Sequence, residues 1–231
     1  MELSTRLKAI AKLIENCNTV ADIGSDHGYI PIYVIEEKIA KRAIASDINI
    51  GPVKRAQTNI ISRGLEDRIS CRRGAGLATL GFKEAEAVII AGMGGNLIRD
   101  IILEDMEKVV PLQYMILQPA QNPEVLREFL YKNDFEVLKE ELTFDEGKYY
   151  EIFKVRYSKR TSKEKDNEFS YELSSKLLHS GNPLINEYIK FKLSSYEKIL
   201  KYIKEDSEAA IRRKHEVEMK IEKLKEVIKC L

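Results

Sequence analysis

The sequence predicts an α/β fold with a mostly parallel seven-stranded sheet covered by helices, followed by a C-terminal α-helical coiled-coil hairpin. Strand-like apolar runs alternate with helical patterns over the first 158 residues, and parallel strands require such crossover connections. Two alternating segments joined by a turn at residues 145–147 add an antiparallel edge. Between residues 184 and 231 there is no Gly or Pro, and apolar residues recur every seven positions.

The elements of the sheet region follow from caps, prolines and apolar spacing. Ser4 is a suitable N-cap for a first helix that ends at residues 16–18. Pro31, Pro52 and Pro123 each lie near the start of a helix, where the missing N–H of proline has no cost. The predicted strands are residues 19–24, 42–49, 68–74, 86–95 and 113–119, with the antiparallel pair in 135–157, and the later helices are residues 30–39, 52–65, 96–109 and 122–134.

Residues 159–231 are predicted to form a helical domain, separate from a first domain of residues 1–158. Asp206 or Ser207 can cap a new helix, so we expect an antiparallel hairpin rather than one continuous helix. The apolar seam comprises Ile189, Tyr196, Ile203, Ala210, Val217, Leu224 and Leu231, with Leu193, Ile199, Ile221 and Ile228 beside it.

Composition indicates a globular protein with charged surfaces. The net charge is +1, but residues 159–231 carry 17 Lys and Arg against 13 Asp and Glu. This excess suits a polyanionic partner and equally a solvated helical face.

Cys17, Cys71 and Cys230 have no metal-ligand spacing and are typical of free intracellular thiols, so we expect no metal site. No apolar run has the length of a membrane span or signal peptide, so we expect a cytoplasmic protein without membrane association.

The segment VADIGSDHGYIP, residues 20–31, has a glycine-bearing turn directly after the first strand. In open parallel sheets, ligands bind at the carboxyl ends of the strands, and this turn commonly forms the floor of the site. A dinucleotide fingerprint would have its second glycine at Asp26, where a carboxylate repels pyrophosphate. S-Adenosylmethionine has no phosphate, and Gly24 and Gly28 permit its close approach. The alternative is a tight turn that binds no ligand.

Three later loops have the composition of the same site. Asp47 ends the second strand, where its carboxylate can accept both ribose hydroxyls; the alternative is an N-cap of the next helix. Small residues at 74–77 suit the adenine. Glycines in residues 91–95 leave room for a planar base, with Met93 as a soft apolar contact, or they simply start the next helix. Gln118 and Asn122 are expected to bring amide groups to the same rim.

Several of these segments together resemble one family. ADIGSDHGYIP, ASDIN, GAGL, AGMGG, LQPAQNP and GKYYEIF, in this order, resemble motifs of the bacterial tRNA (adenine(22)-N1)-methyltransferases, the TrmK family. The resemblance covers essentially the whole chain. It implies a class I Rossmann-like methyltransferase domain, S-adenosyl-L-methionine as the methyl donor, tRNA as the substrate, and a C-terminal coiled-coil domain that helps to hold tRNA.

The sequence features and the resemblance together give a set of expected site residues. The expected cofactor-binding residues are Gly24, Ser25, His27, Gly28, Asp47, Ile48, Asn49, Gly74, Ala75, Gly76, Ala91, Gly92 and Met93. The expected substrate-binding residues are Gly94, Gly95, Gln118, Asn122 and Tyr149.

Asp26 is the expected catalytic residue. Adenine N1 has an in-plane lone pair and needs no deprotonation, so the enzyme acts by positioning and electrostatics. A carboxylate at the N6 edge of the base can orient N1 and stabilise the positive charge that develops. The alternatives for Asp26 are a cap and a partner for the cofactor ammonium. His27 either orients Asp26, contacts a phosphate or makes a structural hydrogen bond.

The tRNA contacts are predicted less specifically. Tyr149 or Tyr150 can stack a flipped base, and one of the two is expected to face the core. On the hairpin, Arg212, Arg213 and Lys214 are candidates for phosphate contacts.

Two other functions compete with tRNA methylation. One is a docking module for RNA or protein that binds S-adenosylmethionine without turnover. The other is a small-molecule methyltransferase with an oligomerising coiled coil. Ser207 and Lys214 interrupt the apolar seam, so we expect a monomer.

Overall fold

The computed structural model describes residues 2–159, 168–204 and 207–230. The chain divides into two compact units, residues 1–166 and 167–231. The proposed helix cap Asp206 and the seam residue Leu231 lie outside the described residues. The domain boundary predicted after residue 158 stays a prediction.

The first unit is built on one seven-stranded sheet. Its strands are β1 Cys17–Ile23, β2 Ala40–Asp47, β3 Ile69–Arg73, β4 Ala87–Gly94, β5 Tyr114–Gln121, β6 Phe135–Asp145 and β7 Lys148–Tyr157. The strand order is β3-β2-β1-β4-β5-β7-β6. The first five strands pair in parallel, whereas β7 runs antiparallel to both β5 and β6. The predicted mostly parallel sheet with an antiparallel pair at its edge is confirmed.

Helices cover both faces of this sheet. They are α1 Thr5–Ala11, α2 Tyr29–Glu36, α3 Ile50–Ile61, α4 Gly95–Glu104, α5 Met106–Val109 and α6 Pro123–Lys132, with a short 3-10 turn at Gly76–Thr79. Successive residues of a strand point to opposite faces. Ile89 therefore joins the core cluster packed against α1, α2 and α3, while Val88 and Ile90 join the cluster packed against α4 and α6.

The first helix is shorter than predicted. The hydroxyl of Ser4 caps α1 by accepting the Leu7 N–H at 3.4 Å, but the helix ends at Ala11. The Glu15 N–H donates to the Tyr114 hydroxyl at 2.7 Å, and that hydroxyl donates back to the Glu15 carbonyl at 3.2 Å. This long-range pair holds the backbone out of the helix and leads it into β1.

The single helix predicted for residues 96–109 is wrong, because the structure has two helices there. Asp105 breaks the helix with φ −127° and ψ 40°, and its carboxylate pairs with Lys108 at 2.9 Å. The bend brings Val109 into the same core cluster as Ile98 and Ile102. Tertiary packing therefore decides the break.

The described part of the second unit consists of helices joined by short loops. Its helices are α7 Glu168–Glu172, α8 Ser175–Leu178, α9 Ile185–Tyr202 and α10 Glu208–Cys230. The Ser207 hydroxyl accepts the Ala210 N–H at 3.2 Å at the start of α10. Lys220 on α10 donates to the Tyr196 hydroxyl on α9 at 3.3 Å. The two long helices thus form the predicted hairpin.

The seam of the hairpin is only partly as predicted. Ile189, Val217 and Leu224 are fully buried, but Ile199 is 40% exposed. A straight α-helix drifts by about 20° per heptad, so a seven-residue repeat leaves the contact surface over a few turns. The predicted inward position of Ile199 is wrong.

A buried carboxylate ties the helices of the second unit together. Glu172 on α7 is 2% exposed and pairs with Lys192 at 2.6 Å and with Lys220 at 2.9 Å. Burial alone would raise the pKa of Glu172, but the two ammonium groups outweigh it and lower the pKa to about 2. The carboxylate is therefore ionised at neutral pH, and it links α7 to both arms of the hairpin.

Candidate functional site

A cavity of about 470 Å³ lies at the point where the strand order reverses, between β1 and β4. Ligands of open α/β sheets bind at this crevice, outside the carboxyl ends of the strands. The walls come from the turn after β1, the end of β4, helix α1 and the β6–β7 turn. The cavity brings together these sequence-predicted residues: Gly24, Ser25, Asp26, His27, Gly28, Ala91 and Gly92.

The turn after β1 has a conformation that its glycines permit. Gly24 has φ +81° and Gly28 has φ +68°, a region that other residues rarely adopt. The N–H groups of Gly24 and Ser25 both donate to the Ser46 carbonyl, each at 2.8 Å. A side chain at Gly24 would overlap the terminal methyl of Met93. The turn is therefore fixed to β2, and Met93 covers its glycine.

Asp22 is a site residue that the sequence analysis missed. It is the last but one residue of β1, lines the cavity and is only 9% exposed. Burial raises the pKa of Asp22 to about 6, against the opposing influence of the nearby Ser25 hydroxyl and the Arg6 charge. The Ser25 hydroxyl is buried and has no hydrogen-bond partner of good geometry among the described residues. The motif did contain the signal, since Asp22 is the first acid of DIGSDHG.

Asp26 is exposed at the edge of the same cavity. Its carboxylate accepts a hydrogen bond from Arg55 Nε at 2.8 Å and pairs with Arg55 Nη2 as well. The Nε2 atom of His27 lies 3.6 Å from the other carboxylate oxygen. The His27 ring stacks on Tyr29 with centroids 5.0 Å apart. Asp26 is thus a surface carboxylate that is held by a cation from α3.

The ends of β2 and β3 lie beside the cavity but do not line it. Asp47 accepts the Asn49 N–H at 2.7 Å through Oδ1, and its carbonyl accepts the Gly74 N–H at 3.0 Å. The Ile48 side chain is 59% exposed. In the following loop, Ala75 is exposed and Gly76 packs against Ile101. The carboxyl ends of β1, β2 and β3 are therefore neighbours, from the turn after β1 to the loop at residues 74–76.

The predicted rim position of Gln118 is wrong, because the side chain is fully buried. Its Oε1 accepts a hydrogen bond from Arg6 Nη1 at 2.7 Å, and its Nε2 donates to the Pro119 carbonyl at 2.7 Å. Asn122 is exposed, with φ 54°, and precedes α6. Of the two predicted amide side chains, only that of Asn122 therefore lies at the surface.

The structure favours Tyr150 over Tyr149 as the aromatic residue of the cavity. Tyr150 lines the cavity, whereas the Tyr149 ring packs on Phe144 with centroids 4.7 Å apart. The expectation that one of the two tyrosines faces the core is wrong, since both are half-buried. They lie next to the β6–β7 turn, beyond the part of β7 that is buried.

Gly95 has no space for a side chain. It is buried at the start of α4, and a Cβ atom there would overlap the Asn122 carbonyl oxygen. We expect Gly95→Ala to lower the free energy of unfolding by about 1 to 3 kcal/mol, because backbone atoms must move. Urea unfolding followed by circular dichroism measures this. Gly94→Ala is the matched control, since no atom lies within 4 Å of that Cβ position; equal losses in both variants would contradict the packing argument.

The candidate phosphate contacts on α10 differ in their partners. Arg213 pairs with Glu216 at 3.2 Å and Lys214 with Glu218 at 3.9 Å. Arg212 is exposed.

No helix in the described part of the chain is long and apolar enough to cross a membrane. Within the same residues, no group of three or more His, Cys, Asp or Glu side chains is arranged to hold a metal ion.

Comparison with known proteins identifies relatives of the whole chain. The model of the TrmK family, tRNA (adenine(22)-N(1))-methyltransferase, matches residues 20–226. A Bacillus subtilis protein of the same name is 40% identical over 152 residues, which are 66% of this chain and 64% of that protein. The chain therefore aligns with slightly less than two thirds of that relative.

Two crystal structures resemble the chain over nearly its full length. That of the TrmK tRNA methyltransferase from B. subtilis has a TM-score of 0.87 at 32% identity, and the match covers 98% of this chain and 99% of that one. A putative tRNA methyltransferase of Streptococcus pneumoniae, in complex with S-adenosyl-L-methionine, has a TM-score of 0.87 at 28% identity, covering 98% and 100%. The chain belongs to the tRNA (adenine(22)-N(1))-methyltransferase family, TrmK.

Proposed function

We propose that this protein transfers a methyl group from S-adenosyl-L-methionine to N1 of adenine 22 in tRNA, the activity after which its family is named. One structural observation carries the proposal. A buried acid, Asp22, and the buried hydroxyl of Ser25, which lowers the pKa of that acid, lie at the base of a glycine turn, inside a cavity at the switch point of the sheet. A carboxylate and a hydroxyl in this position can bind a ligand that donates hydrogen bonds and carries positive charge.

The residues of the cavity fit S-adenosylmethionine. Its ammonium group can donate to the Asp22 carboxylate and the Ser25 hydroxyl, and the turn has no side chains of its own at Gly24 and Gly28. The cavity of about 470 Å³ lies within the usual range of about 300–1,000 Å³ for small-molecule sites. The relative from S. pneumoniae was crystallised with this cofactor.

Asp47 is proposed to bind the ribose hydroxyls. Its Oδ1 atom accepts the Asn49 N–H at 2.7 Å, which sets the orientation of the carboxylate. The Asp47 carbonyl is bonded to Gly74 at 3.0 Å, so the ribose and adenine regions are built on neighbouring strand ends. Ile48, Asn49 and the loop at residues 74–76 complete the cofactor-binding residues that we propose on this side.

When bound, the cofactor supplies an electrophilic methyl group on a positively charged sulfur. The protein needs no base at adenine N1, because that atom already has an in-plane lone pair; the residues have to orient the base and exclude water. Asp26 is proposed to accept a hydrogen bond from the N6 amino group and to stabilise the positive charge that develops on the base. Arg55 and His27 hold the Asp26 carboxylate in place.

Asp26→Asn is expected to lower turnover by about tenfold to a hundredfold, less than the loss of a buried electrostatic contact to a reacting group, because Asp26 is exposed. Affinity for S-adenosylhomocysteine should change by less than about threefold, since an exposed group beside the ligand contributes little to binding. Single-turnover kinetics and calorimetry measure the two quantities. Asp67→Asn, an exposed substitution outside the cavity lining, is the matched control. Equal losses of turnover and affinity would make Asp26 a cofactor-binding residue instead.

Further parts of the proposal concern the rest of the chain. We propose that tRNA phosphates bind to cations at the cavity mouth and on α10, including Arg212, with an affinity that falls as salt rises. Gly94, Asn122 and Tyr150 are proposed to face the substrate, whereas the predicted contact of Gly95 is wrong because Gly95 is buried against the Asn122 backbone. We also propose a cytoplasmic monomer that needs no metal, with residues 1–158 as the methyltransferase domain and residues 159–231 as the helical domain.

The decisive experiment uses the full chain with labelled S-adenosylmethionine and unmodified bacterial tRNA. We expect label in tRNA and 1-methyladenosine after nuclease digestion. A transcript with guanine in place of adenine 22 is the control and should take no label. If the protein binds the cofactor but labels no tRNA, the proposed function is wrong.

A further inference from the structure

A second cavity, of about 430 Å³, borders the same helix α1 as the cavity at the switch point of the sheet. Arg6 and Leu7 line the switch-point cavity, whereas Lys8 and Lys12, one helical turn apart, line the second cavity. The other described residues that line it are Glu2, Leu3 and Tyr33. The two cavities share no lining residue, so this α1–α2 groove is separate from the candidate cofactor site.

Two tyrosines on α2 connect the cavities. Tyr29 and Tyr33 are four residues apart, which places them on the same face of the helix with Cβ atoms about 5–6 Å apart. Tyr29 lines the switch-point cavity, is 38% exposed and stacks on His27. Tyr33 is half-buried and lines the α1–α2 groove. A row of aromatic side chains therefore leads from one cavity to the other.

The α1–α2 groove carries positive charge beside this row. Its described lining has two cations, Lys8 and Lys12, and one acid, Glu2. Lys8 pairs with Glu2 at 3.1 Å, but the two side chains are 51% and 89% exposed, and such solvated pairs are weak. Lys12 is exposed and forms no ion pair with any residue that the structure describes. Lys12 can therefore bind an anion without losing a partner.

Aromatic rings beside cations are the features by which proteins bind unpaired nucleic acid. Bases stack on the rings, and phosphates bind the cations. An enzyme that acts on a base takes that base out of the stack, so the nucleotides next to the target also lose stacking partners. A surface that begins at the switch-point cavity and offers a ring and a cation suits one of these nucleotides.

We propose that the α1–α2 groove binds a nucleotide next to the target adenine of tRNA, with its base stacked on Tyr33 and its phosphate paired with Lys12. Tyr29, one turn closer to the switch-point cavity, contacts the strand between the two positions. The groove thus fixes the direction in which the RNA strand leaves the cavity. This inference rests on the proposed function, but it concerns RNA binding and leaves cofactor binding unchanged.

Tyr33→Leu tests the stacking, because leucine keeps an apolar side chain against the core but has no aromatic ring. We expect the Kd for unmodified tRNA to rise about fivefold or more, the lower end of the loss for one stacked base. The Kd for S-adenosylhomocysteine should change by less than about twofold. Filter binding and calorimetry measure the two constants. Phe82→Leu removes an exposed ring that lines neither cavity and should leave tRNA affinity unchanged.

Lys12→Gln tests the phosphate contact. Each phosphate contact adds about one to the slope of log Kd against log salt concentration, so the variant should lower this slope by about one. Lys41→Gln is the matched control, since Lys41 is exposed and lines neither cavity. Equal changes of slope in the two variants would contradict a specific contact at Lys12.

Abasic tRNAs test the groove with the natural protein. A tRNA that lacks the base on one side of adenine 22 keeps the phosphate but has no base to stack. We expect one of the two such tRNAs to bind about fivefold more weakly than intact tRNA, and Tyr33→Leu to bind both equally, because the two changes remove the same contact. Circular dichroism checks the fold of each variant. Additive losses with both abasic tRNAs, or an unchanged tRNA Kd in Tyr33→Leu, overturn the proposal. These measurements are binding constants, so the labelling experiment decides methylation independently.

Discussion

Asp22→Asn is expected to weaken the binding of S-adenosylhomocysteine by about tenfold to a hundredfold, the cost of losing a hydrogen bond to a charged group. Asp22 is buried near the end of β1 and lines the cavity, so the change removes a negative charge from the place proposed for the ammonium group. The Asn side chain also points an N–H donor at the cofactor ammonium. Titration calorimetry at neutral pH measures the affinity of both proteins.

The pH dependence of ligand binding is a second test of the role of Asp22. In the free protein, burial raises the pKa of Asp22 to about 6. Below this pH the carboxylate is protonated and must release its proton before it can pair with an ammonium group. The affinity of the natural protein is therefore expected to fall by about tenfold per pH unit below about pH 6, and the Asn variant should lack this dependence.

The control for Asp22 is Asp100→Asn, which changes an exposed carboxylate that pairs with Arg99 at 2.8 Å. It should leave affinity and its pH profile unchanged. If Asp22→Asn binds the ligand as tightly as the natural protein at pH 7, the ammonium does not bind at this carboxylate.

Arg127→Met is expected to lower the free energy of unfolding by about 3 to 5 kcal/mol. Arg127 on α6 is fully buried and forms ion pairs with Glu140 at 2.8 Å and with Glu151, two carboxylates that are themselves buried. The guanidinium also lies 4.9 Å from the centre of the Phe153 ring. Without the cation, two buried negative charges have lost their shared partner. Urea unfolding at neutral pH measures the effect.

Arg156→Met is the matched control on the same antiparallel pair. Arg156 and Glu136 form a surface ion pair at 2.7 Å, with side chains that are 51% and 32% exposed. Such pairs contribute less than about 1 kcal/mol. Adding Glu140→Gln and Glu151→Gln to Arg127→Met should recover part of the loss, because the buried charges are then absent. Equal losses for Arg127→Met and Arg156→Met would contradict this account.

The buried cluster of Arg127, Glu140 and Glu151 also stabilises the strand pair that borders the candidate site. Glu140 and Glu151 belong to β6 and β7, whose ends beside the connecting turn carry Asp145 and Tyr150 at the cavity. Arg127 links that strand pair to α6 through buried charges. A sequence pattern does not reveal such a cluster, since Glu140 and Glu151 look like solvent-exposed positions of alternating strands.

Much of the fold was predictable because it is encoded in local patterns. Apolar runs of the right length, prolines at helix starts and the cap at Ser4 each act over a few residues. The errors occurred where distant residues decide the conformation. Tyr114 ends α1 through its bonds to Glu15, and core packing of Val109 accompanies the break at Asp105.

In the candidate site too, local features were predictable and the effects of distant residues were not. The turn with Gly24 and Gly28 was predictable, because a glycine turn after a first parallel strand has a recognised place in open sheets. The burial of each side chain was not predictable from the sequence. The sequence analysis expected Gln118 at the rim and chose Tyr149, whereas Gln118 is buried and Tyr150 lines the cavity.

The sequence by itself determined the order of strands and helices, the glycine turn at the end of β1 and the family, because these depend on residue types and spacings along the chain. Only the tertiary structure decided that Asp22 is the buried acid and Asp26 the exposed one. It also decided that Arg6, 112 residues from its partner Gln118, lies in the same cavity. Burial and charge pairing are properties of side chains brought together by folding, and no local pattern contains them.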